Sequence, residues 1–218
     1  MTAPLLRYQG ALLLRSQRWL APLLLYAAVL VVGFRPGDRV LDSLGYAAAP
    51  LVPVTAWLVR VCVTVEPDAA RDCAAAAAGG PARLHAAALL TAVDCAVPAG
   101  LAAVLGVLLL GDPGRTNLLA AALAGVSAVL VCVLTGAAVG ALCSRPLLRA
   151  PGYAIPAAVL GSLLALVADG SPAQAAVSAL VGGAPSGTVV LSPVPPAAAL
   201  LLAAAAGAVA CRLSARRG

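Results

Sequence analysis

The sequence predicts an all-α membrane protein, a single transmembrane domain over residues 1–218. It has six transmembrane helices, an N-terminal amphipathic interfacial helix, and a half-inserted external helix between helices five and six. Three observations predict it. Hydrophobic residues make up 62% of the chain against 10% charged, at a mean hydropathy of +1.02, which leaves a water-soluble domain too little polar surface to expose. The apolar residues fall in runs long enough to cross a bilayer, separated by turn-forming Gly, Pro and Asn. The arginines sit singly at the ends of those runs, where they set topology and meet anionic lipid.

The first 19 residues, MTAPLLRYQGALLLRSQRW, contain no short apolar core followed by a small-residue cleavage site, so they are not read as a cleavable signal. On a helical projection Leu5, Leu6, Tyr8, Leu12, Leu13, Trp19 and Leu20 share one broad face. Arg7, Gly10, Gln17 and Arg18 share the other, and Gln9, Leu14 and Ser16 break the pattern. This is an interfacial helix over residues 1–19 that leads into the bilayer. Span one runs from Leu20 to Phe34, near the minimum crossing length, and the exit loop RPGDRVLDS has balanced charge. Span two, Leu44 to Val65, carries Pro50 and Pro53, which remove backbone donors and predict a kink.

Within the charged stretch Arg60 to His85, Glu66, Asp68, Arg71 and Asp72 fall within two helical turns of the 66–80 segment. Pro67 suits a first turn and Gly79-Gly80-Pro81 a stop, so a short helix lies there, at the membrane surface between two spans. Span three runs from Leu84 to Leu110 with Asp94 and Pro98 inside it, and His85 begins it as an interfacial residue. GDPGRTN then turns the chain. Span four, Leu118 to Leu142, contains Gly136 and Gly140 at the small-xxx-small spacing that lets helix backbones approach closely.

After SRPLLRAPG, whose Arg145 and Arg149 read as lipid-facing anchors, span five covers Tyr153 to Ala168. The connection over 169–196 holds a helix begun by Ser171-Pro172 and ended by Gly182-Gly183, apolar enough to enter a membrane face and return as a re-entrant connection. Span six runs from Ala197 to Leu213. Placing both termini in the cytoplasm puts eleven arginines (Arg7, Arg15, Arg18, Arg60, Arg71, Arg83, Arg145, Arg149, Arg212, Arg216, Arg217) on that side and three (Arg35, Arg39, Arg115) outside. The charged loop is then cytoplasmic.

Composition also excludes chemistries. Lysine is absent, which removes a P-loop lysine, a Schiff base and a serine-lysine dyad. One histidine and six cysteines without CxxC spacing argue against a zinc or redox centre. Isolated arginines and 3% aromatics do not suit nucleic acid. Asp94 lies deep in a span, where a carboxylate costs about 2.5 to 3.5 kcal/mol on insertion scales. Arg60, near the cytoplasmic end of the antiparallel span two, is its expected partner.

An acid just after span two (Glu66), an acid-rich helix containing Arg71, a Gly-Gly-Pro break and a basic start to span three together resemble the membrane (permease) subunit of a bacterial type-2 ABC exporter. The likeness extends to the interfacial N-terminal helix, six spans, and the long connection between spans five and six. It implies that the 66–80 segment is the cytoplasmic coupling helix, touching a separate nucleotide-binding subunit through Glu66, Asp68, Arg71 and Asp72. The run after Glu66 reads PDAARD where the commoner family form has Gly-Thr-Leu-Glu, so Glu66 and Arg71 carry the correspondence. The resemblance further implies a dimer with a second permease copy or paralogue in the bacterial cytoplasmic membrane. ATP and magnesium would be bound by the partner subunit, with no cofactor on this chain. The few aromatics favour a lipophilic or amphipathic cargo. The alternatives are a motor-independent transporter or substrate-binding membrane subunit using Asp94, a membrane-embedded enzyme that lacks a visible catalytic constellation, and a structural or immunity protein.

Overall fold

Proline, glycine and asparagine set the helix ends. The structure, a computed structural model, describes residues 2–114, 116–144, 151–189 and 191–217, with side chains at all of these except 2, 3, 68, 151, 216 and 217. Among them every regular element is helical: α1 (Thr2–Ser16), α2 (Leu20–Gly33), α3 (Val40–Ala48), α4 (Leu51–Thr64), α5 (Asp68–Ala78), α6 (Pro81–Leu110), α7 (Leu118–Leu142), α8 (Pro151–Val167), α9 (Pro172–Gly183) and α10 (Val194–Arg217). Asn117 caps α7, its side chain accepting from the amides of Leu119 and Ala120. Pro81 opens α6 and Pro172 opens α9, where their missing amides cost nothing.

Four units are long and apolar enough to cross a membrane: Val40–Thr64, Pro81–Leu110, Leu118–Leu142 and Val194–Ala215. Two bent pairs qualify only when each is taken as one span: Pro4–Ser16 with Leu20–Gly33, bent by 73°, and Gly152–Val167 with Pro172–Gly183, bent by 47°. The chain is thus a multi-pass helical membrane protein with four to six spans. The shortfall from six has a simple cause. The 14 residues of α2 reach about 21 Å and the 17 of α8 about 26 Å, against a hydrocarbon core of about 30 Å.

The expected start of span two at Leu44 moves outward to Val40. Three backbone bonds account for it: Gly37 N to Leu110 O (3.1 Å), Asp112 N to Asp38 O (2.9 Å) and Val40 N to Asp112 O (3.2 Å). They stitch the 35–39 loop to the turn after α6 and give α3 an anchored first residue. Gly111 permits the approach, since a Cβ there would come within 2.7 Å of the Val107 carbonyl oxygen and 3.0 Å of Val40. The expected kink falls at Ala49-Pro50, between α3 and α4. Pro53 sits in the first turn of α4, where no intrahelical donor is lost.

The core is built around α4, buried along most of its length at Leu51, Val52, Thr55, Leu58 and Val59. It packs on α7 through Gly136 and Gly140. A Cβ on Gly136 would lie 2.4 Å from the Val52 carbonyl oxygen, and one on Gly140 3.0 Å from that of Ala56. The small-xxx-small spacing is therefore the seam between the two most buried spans. At the opposite pole α9 folds back onto α3, with Val181 against Gly45.

The N-terminal helix lies on α6 through most of the expected face, Leu5, Leu6, Leu12 and Leu13, rotated so that Gln9 joins it and Tyr8 leaves it. Gln9 and Leu13 are buried at its centre, flanked by half-buried Leu5, Leu6 and Ser16, while Tyr8 and Leu14 are exposed. Gln9 belongs to the packed face, because i, i+4 spacing aligns it with Leu5 and Leu13. The helix ends at Gln17, whose φ of +52° turns the chain sharply into α2.

Candidate functional site

The charged segment folds as expected into a short helix outside the bundle, α5. Pro67 precedes it in an extended conformation, and Gly79, at φ +78°, closes it in the left-handed region that glycine tolerates best. The amides of Gly79 and Gly80 bond back to Ala76 (3.4 Å) and Ala75 (2.8 Å), which satisfies carbonyls that the helix end leaves open. Gly80 and Pro81 then redirect the chain into α6.

Two charged side chains tie this helix region to the bundle. Arg71, half-buried, donates from Nη1 to the carbonyl oxygen of Val63 at 2.9 Å, at the end of α4. Its Nη2 lies 3.5 Å from Nδ1 of His85, in the first turns of α6. Since arginine only donates, Nδ1 is the acceptor and the ring proton sits on Nε2, which has no partner among the described residues. One guanidinium therefore clamps the ends of two spans. The second tie is Glu66, in the turn between α4 and α5. It is 8% exposed and accepts a 2.5 Å hydrogen bond from the Tyr8 hydroxyl of α1. That bond, with burial and the carboxylate's charge behind it, pushes the Tyr8 phenol above its ordinary value.

These positions revise the expected roles. Glu66 turns inward against α1, so its carboxylate is not presented to a partner, because the turn after Thr64 directs it towards Tyr8. His85, expected at the interface, is fully buried beneath the Arg71 side chain. Asp72 is exposed on the outer face of α5 together with Ala69, Cys73 and Ala76. The Asp68 side chain, and the whole of Arg145 and Arg149, lie outside the described residues. A groove of about 610 Å³ runs between α1 and α5, lined by Leu5 and Tyr8 on one side and Ala70, Cys73, Ala74 and Ala77 on the other.

The expected Arg60–Asp94 pair does not form. Among the described residues no ion pair joins them. The reason is helical phase: Ala92 and Ala96, completely buried in the core, are each two residues from Asp94, about 200° around the helix. Asp94 shares an exposed face with Leu90, Pro98, Leu101 and Leu105. With the polar turn after Leu110 at one membrane boundary, about 20 residues of α6 fill a ~30 Å core, which brings the other boundary to Leu90. Asp94 then lies about 6 Å inside it. Arg60 is half-buried on a different stripe, with Pro53, Trp57 and Thr64 exposed along α4.

Neither the Tyr8–Glu66 bond nor the burial of His85 has a local signal in sequence. Among the described residues no three His, Cys, Asp or Glu side chains gather closely enough to hold a metal. Among the described residues the arrangement ties the α5 region to α1 and to the ends of α4 and α6. Compared with known proteins, the chain matches no family model, no curated protein and no solved structure.

Proposed function

We propose that this chain is the transmembrane subunit of an ATP-driven ABC exporter, and that α5 is the coupling helix on which a separate nucleotide-binding subunit pushes. The observation that carries this reading is the Arg71 clamp. A charged, capped helix outside the bundle is held at once to the end of α4 and the start of α6, so displacing it moves two spans. The exposed Asp72 face and the adjoining α1–α5 groove offer the partner its contact. ATP and magnesium are held by that partner. A second permease copy or paralogue completes the pathway, facing the exposed Tyr46, Pro53 and Trp57 stripe of α3 and α4. The protein lies in the bacterial cytoplasmic membrane with both termini cytoplasmic, and its cargo is lipophilic or amphipathic.

A gently solubilised, tagged copy tests this. A nucleotide-binding subunit should co-purify with ATPase activity that Asp72→Arg removes. If no ATPase accompanies an assembly that still functions, the reading fails.

The exposure of Asp94 inside the apolar layer favours one rival, a motor-independent transporter that uses this carboxylate as an ion or proton site. Proton-dependent transport by the lone chain in vesicles, abolished by Asp94→Asn, would select it.

A further inference from the structure

A groove of about 340 Å³ lies among α1, the end of α5 and the first three turns of α6, lined by Leu5, Leu6, Ala78, Ala86, Ala87 and Leu90 together with the exposed Arg83. We propose that it is a binding site for an anionic phospholipid, whose phosphate pairs with Arg83 and whose acyl chain lies along the apolar walls. Three features support this occupant. Arg83 is exposed and has no hydrogen bond or ion pair among the described residues, and its guanidinium rests over Gly79, within 2.9 Å of where a Cβ would stand. Its charge is therefore open to a ligand, and a planar guanidinium matches phosphate oxygens two at a time.

Depth is the second feature. With the hydrocarbon boundary at Leu90, the Cα of Arg83 stands about 10 Å outside it, from which the side chain reaches the phosphate layer while the groove opens onto the acyl region at its Leu90 end. The third is the pairing of an apolar trough with a cationic rim, which complements an amphiphile with an anionic head better than a peptide or a free anion. Alanines at 86 and 87 leave the space that larger side chains would fill. Asp94 lies about 16 Å further along the helix axis, too far to contact the same phosphate. The site depends on membrane placement alone and stands whether or not α5 meets an ATPase.

Native mass spectrometry of the full chain in mild detergent provides the test, with equal amounts of phosphatidylglycerol and phosphatidylcholine of identical acyl chains. The wild type should retain phosphatidylglycerol about fivefold over phosphatidylcholine, the factor one arginine contributes against anionic lipid. Arg83→Gln should abolish the preference but keep total lipid, Arg83→Lys should keep part of it, and Ala86→Trp should lower retention of both lipids. Inorganic phosphate should not displace the bound lipid. The proposal is overturned if Arg83→Gln preserves the preference or phosphate alone competes the lipid off. It also falls if Ala86→Trp leaves lipid in place while releasing a co-purifying protein, since the groove would then be a protein-docking surface. Arg83→Gln alters only an exposed side chain and decides the matter even where Ala86→Trp fails to fold.

Discussion

Tyr8 and Glu66, 58 positions apart, meet in a 2.5 Å hydrogen bond in which the phenol donates to the carboxylate. It joins the N-terminal helix to the turn between α4 and α5. Tyr8→Phe should cost about 1 kcal/mol, below the ~1.5–3 kcal/mol of hydrogen bonds to charged groups because the tyrosine is exposed on one side. The loss should appear as a lower thermal midpoint and faster proteolysis within α1.

The same bond has a pH signature. The Tyr8 phenol is raised above about 10 by its bond to Glu66, by burial and by that carboxylate's charge. The neutral phenol is the bonded form, so its contribution is fully present below the pH at which a free phenol ionises and is lost as pH rises through the folded value. A tyrosinate absorbance titration of the wild type minus Tyr8→Phe should show one phenol ionising later than free tyrosine. An ordinary midpoint would contradict the bond.

Arg71 and Asp72 are neighbours with separable duties. Arg71→Met removes the donor to Val63 and the contact with His85, and should destabilise the chain by about 1.5 to 3 kcal/mol. Asp72→Arg touches an exposed side chain and should stay within about 0.5 kcal/mol of the wild type while reducing recovery of the ATPase partner proposed above. Equal effects of both substitutions on thermal midpoint would refute this division.

Gly136→Ala should destabilise by about 1 to 3 kcal/mol, because its methyl meets the Val52 backbone rather than a side chain that can move. Gly106→Ala is the matched control. Nothing lies within 4 Å of its added Cβ, and relief of glycine's entropy should stabilise α6 by up to about 1 kcal/mol. Thermal unfolding in detergent reads both.

Arg60 and Asp94 should behave as independent sites. The stability changes of Arg60→Gln and Asp94→Asn should sum in the double variant to within about 0.5 kcal/mol. A coupling energy above about 1 kcal/mol would restore the pair that helical phase excludes.

The helical class, the multi-pass character and the existence of α5 were legible in the sequence because they rest on local terms: apolar run length, Pro at helix starts and Gly at helix ends. The Gly136–Gly140 spacing was legible as a motif, though its partner α4 was not. What escaped was set by tertiary geometry. Depth alone pairs Asp94 with Arg60, but depth along two helices says nothing of the azimuth that turns them apart. Beginning an apolar run points His85 to the interface, whereas the folded chain buries it with the Arg71 side chain against its ring. Gln9 was counted against its helix's apolar face, although a long amide stem can occupy a packed position.

The backbone stitches between Asp38, Val40, Leu110 and Asp112 give α3 and α6 a common pivot at one end. A pinned rod moves most at its free end. Across the 30 residues of α6, about 45 Å, a tilt of about 5° about that pivot swings the far end by about 4 Å. The end away from the pivot carries His85 and the Arg71 contact, so under the coupling role proposed above the stitches would serve as the fulcrum and that end as the point where force enters.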